Sequence, residues 1–169
     1  MTSAVTSVFV RDAADADGPG IAAVVGAVFA EYHGCVLDID GEMPDLLRPA
    51  ESYARAGGSA WVATGADGTV HATCGVAPAA ASLTLGPGWE LHRLYVAKPA
   101  RRQGLGHRFC ALAEAVARER GGRFLEAWSD CRFVDAHRLY ERVGFLRQPE
   151  IRVLNDRSHS VEYRFLKRL

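Results

Sequence analysis

The sequence has no excess of charge of either sign: 20 Lys and Arg stand against 20 Asp and Glu. A nucleic-acid-binding surface normally needs a basic surplus, and positive charge clusters only at Arg101-Arg102 and in the tail Lys167-Arg168, so nucleic acid is not an expected partner. Long hydrophobic runs are missing too. The longest mostly apolar stretch, Ile21 to Ala30, falls well short of the roughly 20 residues that span a bilayer, and no membrane partner is expected. The opening segment MTSAVTSVFV lacks a basic region ahead of an apolar one, so a secretory leader is not expected and the location reads as cytoplasmic. Cys35, Cys74, Cys110 and Cys131 form neither a C-x-x-C pair nor a Cys/His group with zinc spacing. They read as reduced, partly buried thiols, and no metal site is expected. Repeats, long linkers and heptad runs are also lacking, which leaves one domain over residues 1–169.

What is present is an ordinary globular balance, 49% apolar and 24% charged. Val5 to Val10 reads as a first strand. Asp15 and Asp17 are cap candidates ahead of a helix over Ile21 to Tyr32, where Ile21, Val24, Val25, Val28 and Phe29 recur at helical spacing. A second short helix is expected over Leu46 to Ala56. Strands are expected at Ser59–Thr64 and Thr69–Ala77 around an Ala66–Gly68 turn, then a loop or weak strand end from Ala79 to Gly88, then a strand at Trp89–Val96. A helix follows over Leu105–Arg120, a strand over Phe124–Trp128, and a helix capped by Ser129 or Asp130 and running to about Arg142. A short strand from Gly144-Phe145 and a last one over Ser160–Leu166 complete a mixed α/β order.

The segment from Leu94 to Gly106 carries the most chemistry. A strand ends, a basic turn follows, and Gly104 and Gly106 open a helix. Amide groups at a helix N-terminus lack partners and the helix dipole favours negative charge there. Glycines let the backbone close round phosphate oxygens. Arg101 and Arg102 add charge, so the segment reads as a pyrophosphate cradle; a plain glycine-containing turn with solvated arginines is the alternative. A dinucleotide fingerprint is ruled out by Phe109, and no Gly-Lys-Ser/Thr of a Walker loop is present.

Arg101-x-x-Gly104-x-Gly106 after a strand resembles the acetyl-CoA loop of the GCN5-related N-acetyltransferases (GNAT), and Ala136-x-x-x-Tyr140-x-x-x-Gly144-Phe145 is similar to a second signature of that family, in the same order. The resemblance covers Ser59 to Phe145 well and Val5 to Tyr32 more loosely. It implies an α/β fold with a mostly antiparallel mixed sheet, flanked by helices and splayed between its fourth and fifth strands. It implies acetyl-CoA as co-substrate, an amine acceptor, and a monomer or homodimer.

Residue by residue, the resemblance assigns the pantetheine arm to Leu94, Tyr95 and Val96. It assigns the pyrophosphate to Arg101, Arg102, Gln103, Gly104, Leu105 and Gly106, with His107 a further candidate. Tyr140 matches the tyrosine placed at the CoA sulfur, where a phenol can protonate a departing thiolate. Seven residues earlier the family often carries an asparagine; here stands Phe133. Amine acetylation needs a group that removes the amine proton. Glu90 stands at the family offset from Leu94, His92 lies on the same strand face, and Glu126 sits on the next strand. The oxyanion is expected on the N–H of Leu94 or Tyr95.

The acceptor site is expected between Phe29 and Tyr53, where Asp38, Asp40, Glu42 and Asp45 would attract a cation, with Trp128 as a wall. Arg132, His137, Arg152 and Arg157 are candidates to hold a carboxylate. A small molecule bearing a primary amine, amino-acid-like or an antibiotic or toxin, is the favoured acceptor. A protein lysine or N-terminus, or an acyl-CoA-binding module without catalysis, are the other readings.

Overall fold

The computed structural model describes residues 8–169. A seven-stranded sheet is built from β1 (Phe9–Asp12), β2 (Ser59–Thr64), β3 (Val70–Ser82), β4 (Gly86–Val96), β5 (Phe124–Asp130), β6 (Leu146–Val153) and β7 (Val161–Arg168). The spatial order is β1-β2-β3-β4-β5-β7-β6, and every pair is antiparallel except β4–β5. That one parallel pair needs a crossover, supplied by α4 (Leu105–Glu119). The remaining helices are α1 (Gly18–Phe29), α2 (Ile39–Glu42), α3 (Pro49–Arg55) and α5 (Val134–Arg142).

Alternation along the strands divides the core between the two faces of the sheet. Trp61, Ala63, Cys74, Val76 and Leu91 meet Leu105, Phe109, Ala113 and Ala117 of α4. Val62, from the opposite face of β2, packs with Ile21, Val25 and Phe29 of α1. Phe109 is fully buried, and side chains of its kind contribute about 1.5–3 kcal/mol each on leaving water. No helix among the described residues is long and apolar enough to cross a membrane.

Several boundaries differ from the sequence reading. The first strand is Phe9–Asp12; Val5 to Ser7 lie outside the described residues. Of the two readings of residues 79–88, the strand is the one present: β3 runs to Ser82 and β4 starts at Gly86, pairing Ala79 with Gly88 and Ser82 with Gly86. This stretch's one β-branched residue, Thr84, falls in the turn between the strands, so the pattern that usually announces a strand is missing. A Cβ on Gly88 would lie 2.0 Å from the Phe124 ring, so its bareness reflects close packing rather than a turn. Asp17 occupies the N-cap of α1, although its side chain makes no cap bond there, and Asp15 does not cap that helix. Asp17 pairs with Arg11 at 2.7 Å, and Asp15 accepts from the Glu51 amide in the first turn of α3. Nor do Ser129 and Asp130 cap α5: both belong to β5, and the N-cap is Phe133. Pro149 lies in β6, where an edge position and a register shift between Arg147 and Ile151 accommodate it.

Candidate active site

Two cavities open where β4 leaves β5. The strands pair only from Gly88–Phe124 to Leu91–Ala127. Beyond that point β4 bulges: His92 opposes Gly75 and Tyr95 opposes Thr73, so Arg93 and Leu94 together face Cys74. Arg93 adopts φ 51°, an unusual value for a side-chain-bearing residue. Asp45 holds it there through Nε at 3.0 Å and Nη2 at 2.9 Å.

The larger cavity is a cleft of about 500 Å³ between β4, the loop after it, and the first turns of α4 and α5. Leu94, Tyr95 and Val96 line one side; Arg101, Arg102, Gly104, Leu105, Gly106 and His107 line the end. Arg102 at φ 66° and Gly104 at φ 77° turn the chain into α4. The amide of Arg108 is bonded to the Gly104 carbonyl at 3.0 Å, so the preceding amides of the first turn have no acceptor within the helix. Gly106 lets α5 approach, since a Cβ there would lie 2.7 Å from Leu139 Cδ2. The Arg101 side chain is engaged elsewhere. Its Nε donates to the Val96 carbonyl at 3.0 Å and its Nη1 to Glu31 at 2.9 Å, which ties the loop to the segment after α1. Gln103 is exposed and does not line the cleft.

The smaller cavity, about 110 Å³, is lined by Glu90 and His92 of β4, Trp128 of β5, Tyr140 of α5, Arg152 of β6 and Glu162 of β7. Burial raises the Glu90 carboxyl to about 7 against the pull of Arg152, whose Nη2 stands 3.8 Å away. His92 Nδ1 lies 3.7 Å from Glu90, but burial and then the Arg93 charge lower its imidazole to about 4, so this contact is not an ion pair at neutral pH. Tyr140 is buried between Phe145 and Phe165, with its phenol raised well above 10 by that burial. Arg152 lies 4.6 Å from the Trp128 ring centroid and pairs with Glu162 at 2.6 Å. Leu94, Tyr95, Phe133 and Ala136 line both cavities.

Other candidates lie away from the cavities. Glu126 is buried opposite Glu90 in register but bonds Arg164 at 2.7 Å and lines neither space. Asp38 accepts from the Gly41 amide at 3.0 Å, Glu42 accepts from the Arg157 amide at 2.6 Å, and Asp40 is exposed. The acidic segment is thus consumed in local turns and in fastening the loop before β7, with Asp45 taken by Arg93; none of the four lines a cavity. Arg132 is spent on Asp130 and the carbonyls of His33 and Ser158. Among the described residues, no cluster of three or more His, Cys, Asp or Glu is placed to hold a metal ion. Sequence reasoning missed Glu162 of the smaller cavity, the Arg93–Asp45 clamp and the Glu31 partner of Arg101. The last two join residues 48 and 70 positions apart, for which no local signal exists.

The Acetyltransferase (GNAT) family profile matches residues 28–145. Among solved structures, the chain superposes on an acetyltransferase of the GNAT family from Staphylococcus aureus Mu50 with a TM-score of 0.78 and 15% identity, covering 96% of this chain and 99% of that one. A ribosomal-protein-alanine N-acetyltransferase from Brucella melitensis gives 0.71 and 22%, covering 95% and 99%. The YncA protein of Salmonella typhimurium, solved with its cofactor acetyl-CoA, gives 0.72 and 17%, covering 96% and 94%. None of the curated proteins matches the chain.

Proposed function

The chain belongs to the GNAT acetyltransferase family, and on that premise we propose that it is a single N-acetyltransferase domain moving an acetyl group from acetyl-CoA to the primary amine of a small molecule. The observation that carries this reading is the junction of the two cavities, an amide-rich cleft on one side and a Glu90-bearing chamber on the other.

The cleft fits the donor on its own chemistry. Unpaired first-turn amides and the exposed Arg102 and His107 suit a diphosphate, and the apolar wall of Leu94 and Val96 suits a thin, mostly apolar arm. Acetyl-CoA supplies an activated thioester carbonyl. As the acceptor nitrogen forms the C–N bond and the C–S bond breaks, Glu90 takes the amine proton and Tyr140 protonates the sulfur, leaving an amide and a thiol. Glu90 is preferred to His92, a far weaker base at about 4, and to Glu126, which is paired outside the cavity. Leu94 in the bulge, or Tyr95 just after it, offers its backbone amide to the carbonyl oxygen.

A chamber of about 110 Å³ walled by Trp128 and Arg152 suits a compact amine better than a protein side chain presented from an open groove. Arg93 and Arg152, the arginines lining the chamber, are each paired with a carboxylate of the protein, so the site selects for the amine end of its acceptor. Four free thiols agree with a reducing, cytoplasmic setting.

The test begins with thermal unfolding. Acetyl-CoA at about 100 times its dissociation constant adds roughly 2.7 kcal/mol. That raises the midpoint by about 5–10 °C in a domain this size, with ATP and NAD giving no shift. Free-thiol release is then read over small primary amines and lysine peptides. Turnover with compact amines supports the proposal; turnover confined to peptides replaces it with a protein acetyltransferase; no shift with acetyl-CoA ends it.

A further inference from the structure

We propose that Phe133 is the residue that limits the acyl group this enzyme accepts, admitting acetyl and excluding four-carbon and longer chains. The inference rests on the acetyltransferase reading above and adds a donor selectivity to it.

The reacting carbon must be reachable from both cavities, because the pantetheine arm is assigned to the larger cleft while Glu90 and Tyr140, which act on the amine and the sulfur, line the smaller chamber. Only Leu94, Tyr95, Phe133 and Ala136 border both spaces. Leu94 in the β4 bulge and Tyr95 just after it are assigned roles through their backbone amides, and Ala136 has little to obstruct with. Phe133 is therefore the bulky side chain in the throat that has no part in the chemistry proposed above. It stands where the family resemblance expects an asparagine, and it fills space in place of making a hydrogen bond.

Its ring is not free to step aside. Phe133 packs against Tyr32 with centroids 4.8 Å apart, Phe29 at 6.0 Å and Tyr95 at 6.3 Å, each contact at a tilted or edge angle. Its backbone is pinned as well: its amide bonds the Asp130 carbonyl at 3.0 Å, and its carbonyl accepts from Ala136 at 3.0 Å and His137 at 3.2 Å. An acyl chain longer than acetyl has no slack to borrow. Towards the larger cleft it competes with the pantetheine arm, and towards the chamber of about 110 Å³ it takes the acceptor's place.

The test is a ladder of dissociation constants for CoA, acetyl-CoA, propionyl-CoA and butyryl-CoA, measured by calorimetry on the wild type, Phe133→Leu and Phe133→Ala. It needs no acceptor. In the wild type, acetyl-CoA should bind about as well as CoA, and butyryl-CoA about tenfold or more weaker. Phe133→Ala should bring butyryl-CoA to within about threefold of acetyl-CoA, with Phe133→Leu between the two. Equal affinity along the wild-type ladder overturns the inference, as does an unchanged ladder in a variant that still binds CoA. If loss of the aromatic packing unfolds the alanine variant, the leucine variant decides. Absence of binding by every thioester and by CoA itself would remove the acetyltransferase reading, and this inference with it. A steep ladder that ignores Phe133 would remove only the latter.

Discussion

The larger cleft takes its polar character from amides at the start of α4 and its walls from apolar side chains, whereas the smaller chamber takes its character from ionisable side chains on five separate elements. The first is short-range construction: a strand end, two glycines and a helix start within a dozen residues. The second exists only once β4, β5, α5, β6 and β7 have met. A backbone cradle tolerates exchange of many side chains but not of a glycine, and a side-chain chamber tolerates the reverse. The contrast therefore predicts which substitutions abolish chemistry and which abolish binding.

The largest effect belongs to the chamber. Glu90→Gln should lower turnover at pH 7.5 by about 10²–10⁴-fold while leaving the acetyl-CoA thermal shift intact, measured by thiol release and melting. In the wild type, activity should rise through about pH 7 as Glu90 ionises, and the variant should lose that limb. The same group predicts a stability trend. Its folded value, about 7, is raised above the ordinary 4.5, so the stability its neutral form contributes is complete below pH 4.5 and is lost as the pH climbs through 7. Glutamine stays neutral, so the variant should match the wild type near pH 4 and exceed it by up to about 3 kcal/mol at pH 8. Equal pH profiles for the two proteins would end the assignment of Glu90.

Next comes the cradle. Gly106→Val adds atoms that meet Leu139 and fill the floor of the cleft. Acetyl-CoA affinity should fall by about 100-fold, the order expected when a binding frame is displaced by an ångström. The unliganded melting point should change little, because the obstructing Leu139 atom is the free end of a side chain. A variant that binds normally would show that the ligand does not lie against α4.

The Arg93–Asp45 clamp serves both cavities, since the bulge it holds carries Leu94 and Tyr95. Asp45→Ala leaves a mostly buried guanidinium unpaired at φ 51°, and should cost about 1–3 kcal/mol in urea denaturation. Adding Arg93→Gly should restore part of that loss, because glycine takes a positive φ without strain. If the double variant is no better than the single one, the clamp does not hold the bulge.

The same contrast explains what was legible in the sequence. The cradle segment, the helical spacing of α4 and the strand that precedes it are local patterns, and they sit where the spacing puts them. Glu90, His92, Trp128 and Tyr140 were named from short motifs and do face one chamber. The charge density of Asp38, Asp40 and Glu42 is visible in the sequence, while the turn and the Arg157 amide that engage Asp38 and Glu42, and the outward placement of Asp40, are not. Asp15 failed as a cap for α1 for a similar reason: its partner is the amide of Glu51, 36 residues on. The extension of β3 and β4 past Ala79 was hidden because small residues there serve packing against Phe124.

The smallest predicted effect bears on a cradle residue whose side chain is engaged over a long range. Arg101 belongs to the cradle motif, yet its guanidinium is spent on Glu31 and the Val96 carbonyl, so it acts as a tether from the loop to the segment after α1. A tether transmits its effect through its partner. Glu31→Gln and Arg101→Ala should therefore weaken acetyl-CoA binding by similar small factors, about two- to threefold, and the double variant should be no worse than either single one. Calorimetry at two salt concentrations separates this from direct phosphate contact, where Arg101→Ala alone would cost about tenfold or more and would flatten the salt dependence of binding, while Glu31→Gln would leave affinity unchanged or improve it by releasing the arginine. The first pattern makes the cradle a matter of backbone amides with one side-chain brace; the second returns Arg101 to the role its motif suggests.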